Sequence, residues 1–149
     1  MSSYHRVLSV VDSSDGASHV IRRAALMARL CGASLAVASV ADAPPGGDDS
    51  IRARLAFIGD ATRRVEKLAG KSGARDFEVL ISERDRRTLS AVVGSWRPDL
   101  LVVSASDPRG LSGWLESLRE SDAPIDVLKV EPEGLGISRR MAAALAGLF

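Results

Sequence analysis

Leu100-Leu101-Val102-Val103 is apolar at every position and runs directly into a small, polar, glycine-bearing turn, Ser104-Ala105-Ser106-Asp107-Pro108-Arg109-Gly110. A run this short and this β-branched reads as a strand, and one with no polar parity reads as a strand buried on both faces. Such strands lie inside parallel sheets with helices packed on either side, so this stretch constrains the fold more than any other. In doubly wound α/β proteins the turn that follows such a strand is where a ligand normally sits.

The rest of the chain supplies the matching parts. Val7–Val11 reads as a first strand that stops at Asp12, and Asp12-Ser13-Ser14-Asp15-Gly16 carries turn and helix-cap chemistry. Val20, Ile21, Ala24, Ala28 and Cys31 recur at helical spacing, predicting a helix over Ala17–Leu30 that stops at Gly32. Ser34–Val40 is a second strand. Ala43–Ser50, with two Pro, two Gly and two Asp, is a surface loop ending in a helix cap. The next helix spans Ile51–Ala69, with Leu55, Ile58, Thr62, Val65 and Leu68/Ala69 on one face.

Asp76–Ser82 alternates in part, with Phe77, Val79 and Ile81 apolar, which marks an edge strand. A third helix, Arg84–Trp96, turns Leu89, Val92, Val93 and Trp96 inward and closes at Arg97-Pro98. After Leu100–Val103 comes a short helix around Leu111–Glu120. Ile125–Val130 follows, where Asp126 and Lys129 mark a second edge strand. Four strand–helix units and a closing strand, joined by crossovers of this length, imply an α/β doubly wound parallel sheet of five strands.

The totals narrow the function. With 149 residues there is room for one domain, read here as residues 4–131 followed by a tail, 132–149. Twenty Lys+Arg against 19 Asp+Glu leave a net charge of +1, and the basic residues are dispersed as pairs. That gives no long-range field for nucleic acid. One Cys excludes an internal disulfide framework, Cys31 reads as a small buried hydrophobe, and two His supply a metal cluster poorly. The N-terminal stretch lacks a signal-type apolar core, and no apolar run approaches the roughly 20 residues that cross a bilayer. The protein therefore reads as cytoplasmic.

In the tail, Ile137, Met141, Leu145 and Leu148 share one side of a possible helix carrying Arg139-Arg140. Packing on its own domain or a sister subunit is preferred to a membrane-surface role. Ser9, Ser13, Ser104 and Ser106 are hydroxyls, but neither His5 nor His19 is placed to activate one, and His19 reads as a solvated helix residue. No catalytic residue is assigned, and the chain reads as a non-enzyme.

Taken in order, several features resemble the universal stress protein family. They are Val11-Asp12 with its Ser-rich cap, the Ala-rich first helix leading through Gly32-Ala33 into Ser34–Val40, Asp99–Val103, and the closing Ala123-Pro124-Ile125-Asp126-Val127-Leu128. The resemblance spans residues 4–131. It implies a Rossmann-like sheet ordered 3-2-1-4-5 and dimers; the exposed edge of the last strand makes that strand the expected homodimer contact, and the tail, outside the resemblance, is read as a C-terminal extension helix. The resemblance also implies a binding or regulatory module acting through ligands or protein partners.

In one subclass, ATP lies between the first and fourth strands over Gly-x2-Gly-x9-Gly-(Ser/Thr). Counted from Val103, those positions fall here on Ser104, Asp107 and Ser117-Leu118. A carboxylate at Asp107 repels a triphosphate, and Pro108 removes an N–H donor. No cofactor is therefore assigned, and the expected module does not bind ATP in the family's usual way.

The alternative is a sensor for a nucleotide (ATP or AMP) or a small anion, using a variant cradle of Asp12, Val40, Ser104, Ser106, Arg109 and Gly110. Arg109 would be the charged partner there. Asp107-Pro108-Arg109-Gly110 is also good β-turn chemistry, and the plain turn is preferred. Asp12 serves equally as a ligand group or as a cap for the first helix.

Overall fold

The computed structural model describes residues 4–12, 16–41, 50–83, 86–105 and 125–131. The expected helix around Leu111–Glu120 and the tail lie outside them. The elements run β1 (Arg6–Val11), α1 (Ala17–Cys31), β2 (Ser34–Ala41), α2 (Ile51–Lys71), β3 (Glu78–Glu83), α3 (Arg86–Trp96), β4 (Leu100–Ser104) and β5 (Asp126–Val130). The strands form one sheet in the order β3-β2-β1-β4-β5, and every neighbouring pair is parallel.

The apolar run in β4 is explained by what covers it. Leu100 and Val102 join Val7, Val11, Leu35 and Val37 in a core closed by Val20, Ile21 and Ala24 of α1 and by Val65 and Ala69 of α2. Leu101 and Val103 point to the other face, with Leu8, Val10, Ala36, Ala38 and Val40, against Leu89, Val93 and Trp96 of α3. Strand side chains alternate between faces, so a strand covered twice needs apolar residues at both parities. Ser9 is the exception within β1. It is fully buried, and its Oγ donates to the Ala36 carbonyl at 3.3 Å, which meets the hydrogen-bonding need of a hydroxyl taken out of water.

The two outer strands are those whose polar positions marked them as edges. Glu78 and Glu83 of β3, and Asp126 and Lys129 of β5, are exposed.

One expectation needs correction. Leu55 and Ile58 of α2 were read as facing the core, but both are exposed, as is Ile51; Ala61, Val65 and Ala69 are the buried positions. The reason is length. Twenty-one residues make a helix ~31 Å long, whereas the six residues of β3 span ~20 Å. Arg54 already reaches Glu83, the last residue of β3, at 3.5 Å, so the first turns of α2 outrun the sheet. α3 closes at Arg97-Pro98 as the sequence leads one to expect, and the stop is made at Arg97. Arg97 takes φ +57 in the left-handed region, with its N–H donating to the Val93 carbonyl at 3.0 Å. It closes α3 in the way a glycine more often does.

At the amino ends of the strands, long-range hydrogen bonds hold the sheet together. The Asp99 carboxylate accepts from the N–H groups of His5 at 2.8 Å and Arg6 at 2.9 Å. The Asp99 N–H returns a bond to the Arg6 carbonyl, and its own carbonyl accepts from Asp126. Arg6 Nε donates to the Trp96 carbonyl at 2.8 Å while its guanidinium lies 4.0 Å over the Trp96 ring. The Trp96 indole N–H donates in turn to Glu78, and the Tyr4 hydroxyl donates to Asp126 at 2.7 Å. β1, β3, β4 and β5 are thereby tied at one pole.

Candidate functional site

Among the described residues, strand pairing stops short at the opposite pole between β1 and β4. β1 and β2 pair along all of Arg6–Val11, and β4 and β5 pair along all of Leu100–Ser104. β4 and β5 are held further by the Ala105 N–H donating to the Val130 carbonyl at 2.7 Å. Between β1 and β4 the register covers only Val7↔Leu100, Leu8↔Leu101 and Ser9↔Val102. Beyond Ser9 and Val102 the two central strands run on without pairing. The crossover connections leave in opposite directions on either side of this gap, which makes it the topological switch point of the sheet.

Asp12 stands directly after β1 at this gap and Ser104 ends β4 across from it; both are half-buried, and both have interaction partners. The structure thus places Asp12 and Ser104 at the carboxyl ends of the two strands that part. Val40 is different. It lies near the carboxyl end of β2, but its side chain is only 2% exposed and packs in the α3-side core. Only its main chain remains for a ligand. Ser106, Arg109 and Gly110 lie outside the described residues, as do Asp107 and Ser13.

Sequence reasoning missed two features of the crevice. The N-cap of α1 is Gly16, in a helical conformation and without a side-chain cap bond, so the cap position lacks the oxygen expected of the Asp12–Gly16 segment. The first turn of α1 carries no acidic residue either. Its N–H groups and the positive end of the helix dipole therefore face the carboxyl pole without an anion from that turn. His19, in the same turn, was expected to be solvated; it is half-buried and has an interaction partner. The sequence held only one hint of this, the placing of His19 three positions after Gly16 on the inner side of the first turn. Ser9, counted among the hydroxyls, is sealed in the core. His5 lies at the far pole, where its N–H is bound by Asp99.

Among the described residues no three His, Cys, Asp or Glu side chains stand close enough to hold a metal ion. No helix among them is long and apolar enough to cross a membrane.

The profile of the universal stress protein family matches residues 3–121, and the chain belongs to that family. Membership places it among binding modules rather than enzymes. No curated protein matches it. Among solved structures it resembles a universal stress protein in complex with cAMP, at 24% identity and a TM-score of 0.64 over 89% of this chain and 100% of that one. The universal stress protein UspA from Lactobacillus plantarum aligns at 22% identity and a TM-score of 0.61, again over 89% and 100%. A universal stress protein from Archaeoglobus fulgidus in complex with dAMP aligns at 22% identity and 0.51, over 87% and 100%. These likenesses extend the agreement in fold to the five-stranded order β3-β2-β1-β4-β5.

Proposed function

We propose that this protein is a regulatory binding module that takes a nucleotide of low phosphate charge, or a small anion, in the crevice between β1 and β4. The observation that carries the reading is the parting of these two strands after Ser9 and Val102, with Asp12 and Ser104 at their carboxyl ends. Asp12 is a hydrogen-bond acceptor suited to ribose hydroxyls, and the first turn of α1 offers N–H groups to an anion. A universal stress protein in complex with cAMP and one from Archaeoglobus fulgidus in complex with dAMP, both similar to this chain in fold, support a nucleotide monophosphate as the ligand class. The sequence argues against ATP held in the family's usual way, because Ser104 and Asp107 occupy the positions of the first two motif glycines.

The module is a homodimer through β5, an edge strand whose Val127, Leu128 and Val130 are only half-buried. Protein partners would read its liganded state. A cytoplasmic setting goes with one half-buried cysteine and no disulfide partner in the sequence.

Thermal melting with cAMP, AMP, ATP with magnesium, and inorganic phosphate tests the reading. A ligand at 100 times its Kd stabilises by about 2.7 kcal/mol, a rise of roughly 5–10 °C for a domain of this size. The expected result is such a shift for AMP or cAMP, lost on Arg109→Ala and weakened on Asp12→Asn. Absence of a shift with every compound would overturn it.

A further inference from the structure

A second cavity lies at the amino pole, away from the β1/β4 crevice. It is bounded by the last turns of α1, the start of β2 and the turn that leads from α2 into β3, and encloses about 310 Å³. That is the lower range of volumes that hold small organic molecules. We propose that it is a binding site for a compact monoanion, a carboxylate or phosphate carried on a small apolar body.

The space exists because the walls are built from residues with little or no side chain. Gly32 and Gly73 line it, and a Cβ placed on either would meet nothing within 4 Å. Both have positive φ, +63 and +91, so the backbone holds these positions for glycine and keeps the cavity open there. Ala25, Ala28 and Leu35 form an apolar floor, all nearly buried.

The rim is charged. Arg29, Arg75 and Asp76 line it, and among the described residues none of the three has a side-chain hydrogen bond or ion pair. Two guanidiniums against one carboxylate leave a single positive charge over an apolar floor, and a guanidinium binds carboxylate or phosphate oxygens in pairs.

The end of α1 would ordinarily oppose an anion, because the last carbonyls of a helix are its negative pole. Here two of them, those of Ala28 and Arg29, are occupied. Gly32 N–H donates to the Ala28 and Arg29 carbonyls, and Ala33 N–H donates to Ala28 at 2.8 Å. Net charge also separates this site from the crevice at the other pole. Asp76 sets it against a polyanion, while one carboxylate on an apolar ring matches both rim and floor.

Benzoate is the probe, with inorganic phosphate as the bare anion and AMP as the competitor for the other pole. Each is titrated into the full chain, labelled with 15N, and followed by the amide resonances of Gly32 and Gly73. The expected result is a saturable benzoate shift at both glycines, with Kd on the order of 0.1–1 mM for so open a site. Binding should weaken at least ~10-fold in Arg75→Ala, vanish in the Arg29→Ala/Arg75→Ala double variant, and tighten in Asp76→Asn. The rest of the spectrum should remain in place in each variant.

No saturable shift with benzoate, or a shift that survives the double variant, would overturn the proposal. Phosphate binding as tightly as benzoate would overturn the role of the apolar floor. AMP moving Gly32 and Gly73 as strongly as benzoate would overturn the separation of the two sites.

Discussion

Tyr4 and Asp126 show how single residues hold this sheet. The Tyr4 hydroxyl donates to the carboxylate at the start of β5, and this bond, helped by burial and by the Asp126 charge, raises the phenol above its ordinary pKa. The folded protein therefore favours the neutral phenol. The stabilisation is fully present below the unfolded tyrosine value, about 10, and is lost as pH rises through the higher native value. Urea titrations at pH 8, 10 and 11 should show wild type losing stability more steeply than Tyr4→Phe across that window. Parallel curves would contradict the assignment.

Asp99 carries more. Its carboxylate takes two main-chain N–H groups of β1, so Asp99→Ala should cost about 2 kcal/mol by denaturant unfolding, with the crevice left in place. From the sequence Asp99 looked only like the start of a strand. Its partners His5 and Arg6 are 94 and 93 positions away, and nothing local encodes that contact. Asp12, by contrast, is a candidate through the family resemblance, which implies a nucleotide beside the acidic residue that ends the first strand; its residue chemistry alone suits a helix cap equally well. If it meets a ribose, Asp12→Ala should weaken nucleotide binding by roughly 10- to 100-fold, the loss of a charge-assisted hydrogen bond, as read by isothermal titration calorimetry.

At the scale of elements, strand and helix positions could be read from periodicity to within a few residues, because apolar spacing registers which residues share a face. It does not register whether a neighbour lies beneath that face. That is why Leu55 and Ile58 were misplaced in α2 while Val65 and Ala69 were placed correctly. The difference is measurable. Leu55→Lys should change stability by less than about 0.5 kcal/mol, whereas Val65→Ala should cost about 2 kcal/mol. Hydrogen exchange should give fast amides over residues 51–58 and slow ones from Ala61 onward. Uniform protection along α2 would mean its first turns are covered. The edges β3 and β5 are legible for the complementary reason, since charged side chains such as Glu78, Asp126 and Lys129 within a strand need water beside them.

For the whole molecule, the strand order divides the work between two poles. The amino ends are tied by Asp99, Arg6 and Trp96, which fixes the sheet as one body. The carboxyl ends part only between β1 and β4, where the order of the chain reverses. The doubly wound class followed from four strand–helix units, but the reversal itself came from the family resemblance, since crossover lengths do not say on which side of β1 the fourth strand falls. The register gap was not legible at all. It belongs to a pairing between strands far apart in sequence that become neighbours only in the assembled sheet.

The account stands on that gap holding a ligand of low charge. Equilibrium dialysis of the full chain with labelled AMP, cAMP, and ATP with and without magnesium tests it directly, with Asp12→Ala in parallel. The expected result is saturable one-to-one binding of a monophosphate, weakened roughly 10- to 100-fold in the variant, and weaker binding of ATP whether or not magnesium is present. Stoichiometric, magnesium-dependent ATP binding tighter than either monophosphate would contradict it.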